Sequence, residues 1–163
     1  MTRQRLRSII FWSSVALALL LMLLPLPSFL ESFKPYWPAL VLVYWALESS
    51  DMVGLGLAFC VGLAADILYG VMLGEQALRL CVVVFLVLRF RARLRFFPMW
   101  QQALAVFALM LNDRIIEAIL LGFAGMHLPP PAYWVAPAVD ALVWPFLFLL
   151  LDDVRARLRA HEA

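Results

Sequence analysis

Six apolar runs, separated by breaks too short to fold by themselves, take up most of this 163-residue chain. A membrane crossing needs roughly 20 mostly apolar residues, and backbone groups in hydrocarbon must be paired within the crossing segment, so runs of this kind specify helices in lipid. With 66% of the residues hydrophobic and only 15% charged, the composition leaves no room for a soluble domain. The expected fold is all-α: a single polytopic domain over 1–163, with spans at about 8–24, 36–47, 52–72, 76–90, 99–121 and 135–151. Prolines, glycines and charged residues punctuate the breaks: Pro25, Pro27 and Pro35; Glu48 to Asp51; Gly74 and Glu75; Pro98; and Gly125 to Pro131.

Arginine placement sets the number and direction of the crossings. Ten of the 13 basic residues fall in three clusters: Arg3, Arg5 and Arg7; Arg89, Arg91, Arg93 and Arg95; and Arg155, Arg157 and Arg159. Six crossings put all three clusters, and both termini, in the cytoplasm, as the positive-inside rule requires. Dropping the short second run would put two clusters outside. That run spans only roughly 18 Å of a core near 30 Å, which its flanks or local bilayer thinning can accommodate. The first run is long for a cleavable signal and ends in Pro25-Leu26-Pro27 rather than a small-x-small cleavage site, so it is read as an uncleaved span. The arginine clusters serve as topology signals and anionic-lipid contacts, with docking of a cytoplasmic partner as the alternative. Trp12, Trp37, Trp100 and Trp134 lie near span ends, where indole rings anchor at the headgroups.

Two features stand out within the spans. The third run carries Gly54, Ala58, Gly62, Asp66 and Gly70 at four-residue spacing, a ridge that permits close helix approach, either inside the protein or against another chain. The topology also puts Asp66, Arg79, Asp113, Arg114, Glu117 and Asp140 toward the outer half of the bilayer. Ionisable groups there cost a few kcal/mol on insertion scales and need partners. Spacing pairs Arg114 with Glu117 and places Asp113 beside Glu117, while convergence of the whole set is an expectation. Such a cluster suits helix ordering, partner binding or a substrate path. Pro145 frees the carbonyl of Ala141 and is expected to bend the last span.

Enzymatic chemistry finds little support. His127 and His161 lie in a loop and the tail, with no nucleophile beside either. Cys60 and Cys81 sit in apolar runs, and no metal-ligand spacing or phosphate loop occurs. No cofactor, metal or nucleic-acid partner is expected.

Several strings resemble the MreD family of rod shape-determining membrane proteins: Lys34-Pro35-Tyr36-Trp37 before Leu42-Val43-Tyr44-Trp45; Gly62-Leu63-Ala64-Ala65-Asp66 with Gly70 and Leu73-Gly74; Trp100-Gln101-Gln102-Ala103-Leu104; Asp113; and Trp144-Pro145 before a basic tail. Their order, the chain length and the span layout agree over nearly the whole chain. The resemblance implies a non-catalytic scaffold in the bacterial inner membrane that binds MreC and helps couple MreB filaments to side-wall peptidoglycan synthesis by RodA and its transpeptidase. It also implies an architecture similar to the six-helix substrate-binding subunits of energy-coupling-factor transporters. Trp37, Tyr44, Gly62, Asp66, Gly70, Gly74, Asp113 and Trp144 match the family strings, whereas Arg114, Glu117 and Asp140 fall outside them. The small-residue ridge is one candidate surface for MreC. The alternative function is a small-molecule binding or transport subunit with an outer polar cavity, and self-association stays open.

Overall fold

The computed structural model describes residues 2–161, in which all the regular secondary structure is helical, with no strand among them. Seven α-helices follow in order: α1 Arg3–Leu23, the single turn α2 Ser28–Glu31, α3 Trp37–Glu48, α4 Leu55–Tyr69, α5 Glu75–Leu94, α6 Met99–Phe123 and α7 Ala136–Ala160. A 3-10 turn over Pro131–Val135 leads into α7. By length and composition, two helical stretches can cross a membrane, Arg3–Leu23 and Pro131–Ala160. The helices α3 and α4 are apolar but shorter, at 12 and 15 residues, and α5 and α6 carry charges along their length.

The short helix α3 is the axis of the molecule. It packs against α1, α5 and α7, and every residue from Pro38 to Leu47 is buried. An all-round apolar helix has no face for water and belongs in a core. Phe11 of α1 meets the Trp45 ring edge-on at 5.4 Å, and the Trp45 indole donates a 2.9 Å hydrogen bond to Ser14 Oγ. Tyr44 meets Phe148 of α7 edge-on at 5.4 Å, beside the fully buried Trp144.

Outside this core the usual distribution is inverted. Leu17, Leu20, Leu142 and Phe146 project outward from α1 and α7, while Asp66, Arg79, Asp113, Asp140 and Arg155 are buried. Apolar groups outward and charges inward suit a protein whose sides face lipid. Trp100 and Trp134 are exposed near helix starts, Trp12 is exposed midway along α1 instead of at its end, and Trp37 packs partly against the core.

Close packing of α4 on α5 explains the middle of the small-residue ridge. Ala58, Gly62 and Asp66 are buried, and a Cβ at Gly62 would lie 2.2 Å from Ala77 Cα on α5. Only hydrogen fits between those backbones, so this part of the ridge is occupied by the chain's own α5 and is closed to a partner. Gly54 and Gly70 lie at the two exposed ends of α4 instead. Gly70 has φ +68° and Gly74 has φ +96°, left-handed conformations that reverse the chain between α4 and α5 at little cost only for glycine.

Gly62→Ala is expected to destabilise the protein by about 1–3 kcal/mol, because the obstructing atoms are backbone and cannot swing aside. Gly56→Ala, with nothing within 4 Å of the new methyl group, is the matched control. Thermal unfolding of the two variants in detergent should show a lowered midpoint for Gly62→Ala alone.

Candidate functional site

A buried ion-pair network joins α5 to α6. Arg79 on α5 grips Asp113 on α6 with both arms of its guanidinium, Nε to Oδ1 at 2.9 Å and Nη2 to Oδ2 at 2.7 Å. Its remaining nitrogen, Nη1, reaches Glu117 at 3.1 Å and Glu75 at 3.4 Å. The side chains of Arg79 and Asp113 are 5% and 1% exposed, so water contributes almost nothing to neutralising them. Bidentate geometry is what makes such a buried pair tolerable, since Coulomb attraction and hydrogen bonds must offset the loss of hydration together.

Tyr36 extends the network to α3 and α7. Its ring lies 4.8 Å from the Arg79 guanidinium, a cation–π contact away from water. The Tyr36 hydroxyl donates to Gln76 Oε1 at 3.1 Å, and its backbone N–H donates to Asp140 Oδ1 on α7 at 2.9 Å. Asp140 thereby satisfies a donor left unpaired at the start of α3, while its Oδ2 has no partner among the described residues.

Asp66 does related work at the α4–α5 turn. Its carboxylate accepts from the backbone N–H of Gly74 at 2.8 Å and of Gln76 at 2.9 Å. A carboxylate at the first turn of a helix satisfies free amides and complements the positive end of the helix dipole. Its own backbone carbonyl accepts from Gly70 and Val71, so this one residue ties the end of α4 to the start of α5. Its burial is thus explained by backbone partners, not by the charged cluster.

A second arginine sits at the edge. Arg114 contacts Glu117 at 3.1 Å, as its i,i+3 spacing implies, and stacks 4.5 Å over the ring of Tyr133. The Tyr133 hydroxyl donates to Glu117 as well. Beside these groups is a cavity of about 320 Å³ lined by Tyr36, Glu75, Arg79, Arg114, Glu117 and Tyr133. Lys34 also borders it, donating to the backbone carbonyls of Met22 and Leu24 at the end of α1. Burial depresses the Lys34 ammonium below its ordinary pKa, against the opposite pull of Glu31.

At the other end of the bundle, two cluster arginines hold the end of α3 and a third holds the turn that follows it. Arg91 Nε donates to the carbonyls of Ala46 and Leu47, each at 3.1 Å, covering acceptors left open by the last turn of α3. Arg155 reaches Tyr44 Oη at 3.0 Å and Glu48 at 3.3 Å. Arg7 pairs with Asp51 at 2.6 Å. Arg89, Arg93 and Arg95 are exposed around the end of α5, and Arg3, Arg5, Arg157 and Arg159 are exposed on α1 and α7.

The expected polar residues therefore fall into three linked groups. Arg79, Asp113, Arg114 and Glu117 form one ion-pair network, Asp140 joins it through Tyr36, and Asp66 joins through the backbone before Arg79. Spacing alone did not reveal Tyr36, Glu75, Gln76 or Tyr133. Tyr36 stood in the Lys34-Pro35-Tyr36-Trp37 string, and Glu75-Gln76 followed a glycine at a helix start, but neither position signals a partner across the bundle.

If the network orders the helices, removing one member of its buried pair costs more than trimming its edge. Arg79→Ala, leaving Asp113 uncompensated, is expected to lose about 3–5 kcal/mol, and Arg114→Ala about 1 kcal/mol or less. Loss of monodisperse protein in detergent for the first variant and its retention for the second would bear this out. Equal tolerance of both would contradict it.

Comparison with known proteins places this arrangement in a family. Residues 2–154 match the family model described as rod shape-determining protein MreD. The chain is 30% identical over 162 residues to the rod shape-determining protein MreD of Haemophilus influenzae, covering 95% of this chain and 98% of that relative. No solved structure matches the chain. With nearly the full length matched in both comparisons, the chain belongs to the MreD family and has a role in determining rod shape.

Proposed function

We propose that this chain is a non-catalytic scaffold of the bacterial inner membrane, crossing it six times with both termini in the cytoplasm. In this reading it binds MreC and so helps couple MreB filaments to side-wall peptidoglycan synthesis by RodA and its transpeptidase. The observation that carries the scaffold reading is the use of the buried charges. Arg79 and Arg114 are engaged by Asp113, Glu117 and Glu75, and Asp66 holds backbone amides. Groups engaged in this way fix helix positions.

The six crossings draw support from the two ends of the bundle. Arg91 and Arg155 contact the end of α3, and Arg7 contacts Asp51 in the turn after it, at one end, while Asp66, Arg79, Asp113 and Asp140 gather at the other. Alternating helix direction puts the arginine clusters together, in keeping with the positive-inside rule. With Gly62 covered by α5, the MreC contact falls on an outward face of the bundle.

Detergent co-purification with MreC, alongside an unrelated single-span control, tests the scaffold reading. MreC is recovered and the control is not. Photo-crosslinkers placed one at a time at the exposed positions Trp12, Phe59 and Phe146 then locate the contact by which position captures MreC. Absence of MreC under gentle extraction overturns the reading.

The cavity of about 320 Å³ supports a second reading, a small-molecule binding or transport subunit. Its size lies at the low end of ligand pockets, and arginines, carboxylates and tyrosine rings line it. A water-soluble compound that raises the unfolding temperature, and does so less in Tyr133→Phe, would favour it.

A further inference from the structure

The end of the bundle opposite Asp113 holds a larger cavity, about 540 Å³, between the start of α1 and the end of α7. Its lining is Arg3, Gln4, Leu6, Arg7 and Ile10 from α1 with Arg155 and Arg159 from α7. Spacings of three and four residues put Arg3, Leu6, Arg7 and Ile10 on one side of α1, and the four-residue spacing of Arg155 and Arg159 does the same on α7. Four guanidinium groups and no carboxylate therefore face one cleft. From Arg3 to Ile10 the cleft runs roughly 10 Å along the helix axis. It changes over that distance from cationic at the terminus to aliphatic at Ile10, which is itself buried.

Two of the arginines are already committed, Arg7 to Asp51 and Arg155 to Glu48 and Tyr44. Arg3 and Arg159 are exposed and have no ion pair among the described residues. Below them, α1 and α7 present leucines and a phenylalanine outward. A charged mouth that gives way to an apolar wall complements an amphiphile, with an anionic group above and hydrocarbon below.

We propose that this cleft is a binding site for one anionic phospholipid of the leaflet in which the arginine clusters lie, with Arg3 and Arg159 holding the phosphate and Leu6 and Ile10 seating the upper part of an acyl chain. The site is separate from the Arg79 network and does not require that MreC be the partner. It gives the arginines of α1 and α7 a role beyond diffuse attraction to the membrane surface.

Native mass spectrometry of the full-length protein, titrated with phosphatidylglycerol or phosphatidylcholine, tests this. Phosphatidylglycerol binds the wild type more tightly than phosphatidylcholine. The double variant Arg3→Gln/Arg159→Gln loses about 25-fold of that affinity, about five-fold for each guanidinium removed. Arg93→Gln/Arg95→Gln, an equal charge change at exposed positions outside the cleft, keeps it. Glycerol phosphate, a headgroup without chains, does not compete at equal concentration. No preference between the lipids, equal loss in both double variants, or competition by glycerol phosphate would overturn the assignment. A poly-glutamate peptide that binds the cleft while lipid shows no preference would also overturn it and make the cleft an acidic-protein site. Unchanged unfolding temperatures in both doubles keep the comparison free of folding effects.

Discussion

A guanidinium buried among helices has to be neutralised where it sits, and in this protein Arg79 is neutralised by Asp113 on the next helix. Separating α5 from α6 would leave Asp113 with no partner and Arg79 with only Glu75 of its own helix, and an uncompensated buried ion costs several kcal/mol. That penalty acts over short distances and demands particular geometry, whereas apolar contacts between lipid-facing helices gain little from association because lipid tails are equally apolar. The pair therefore specifies which helices meet and in what register. Tyr36 carries this specification to α3 through the Arg79 ring contact and to α7 through Asp140.

The opposite end is organised by the same logic with different acceptors. Arg91 addresses free carbonyls at the end of α3, and Arg155 addresses Tyr44 and Glu48 on the same helix. The short apolar helix is thus fixed at both ends by charges borne on its neighbours, and in between it is surrounded by side chains from α1, α5 and α7. Such a helix need not itself match the bilayer thickness, because its ends meet protein groups that satisfy them.

Much of this organisation was legible in the sequence. Hydrophobic runs and their punctuation gave helices close to those observed, with α3 at Trp37–Glu48 against an expected 36–47 and α6 at Met99–Phe123 against 99–121. The third run was read as longer than α4, since Met52 and Val53 at one end and Val71 and Met72 at the other are apolar yet lie outside the helix Leu55–Tyr69. Apolar composition marks burial in lipid or protein but does not mark where hydrogen bonding stops; glycine with positive φ does that here, at Gly70. The i,i+3 contact of Arg114 with Glu117 follows from helical geometry, whereas Arg79 with Asp113 is separated by 34 residues and depends on how two helices face each other. The arginine clusters were legible as topology signals, but the particular duties of Arg91 and Arg155 were not, because a capping contact to another helix leaves no local pattern.

Family membership ties this architecture to rod shape, and the open question is whether the buried charges act as fold or as function. The most direct measurement is shape complementation in cells lacking their own MreD, comparing Arg79→Met, Asp113→Leu and the pair combined, with protein level followed in the membrane. If the network orders the bundle, each single variant loses protein and rod shape, and the combined apolar replacement recovers much of both, since Asp113 is no longer left charged without Arg79; Glu117 keeps Arg114, and only Glu75 loses its partner. A combined variant that accumulates normally while the cells remain round would contradict this account and make the charges themselves the working part of the protein.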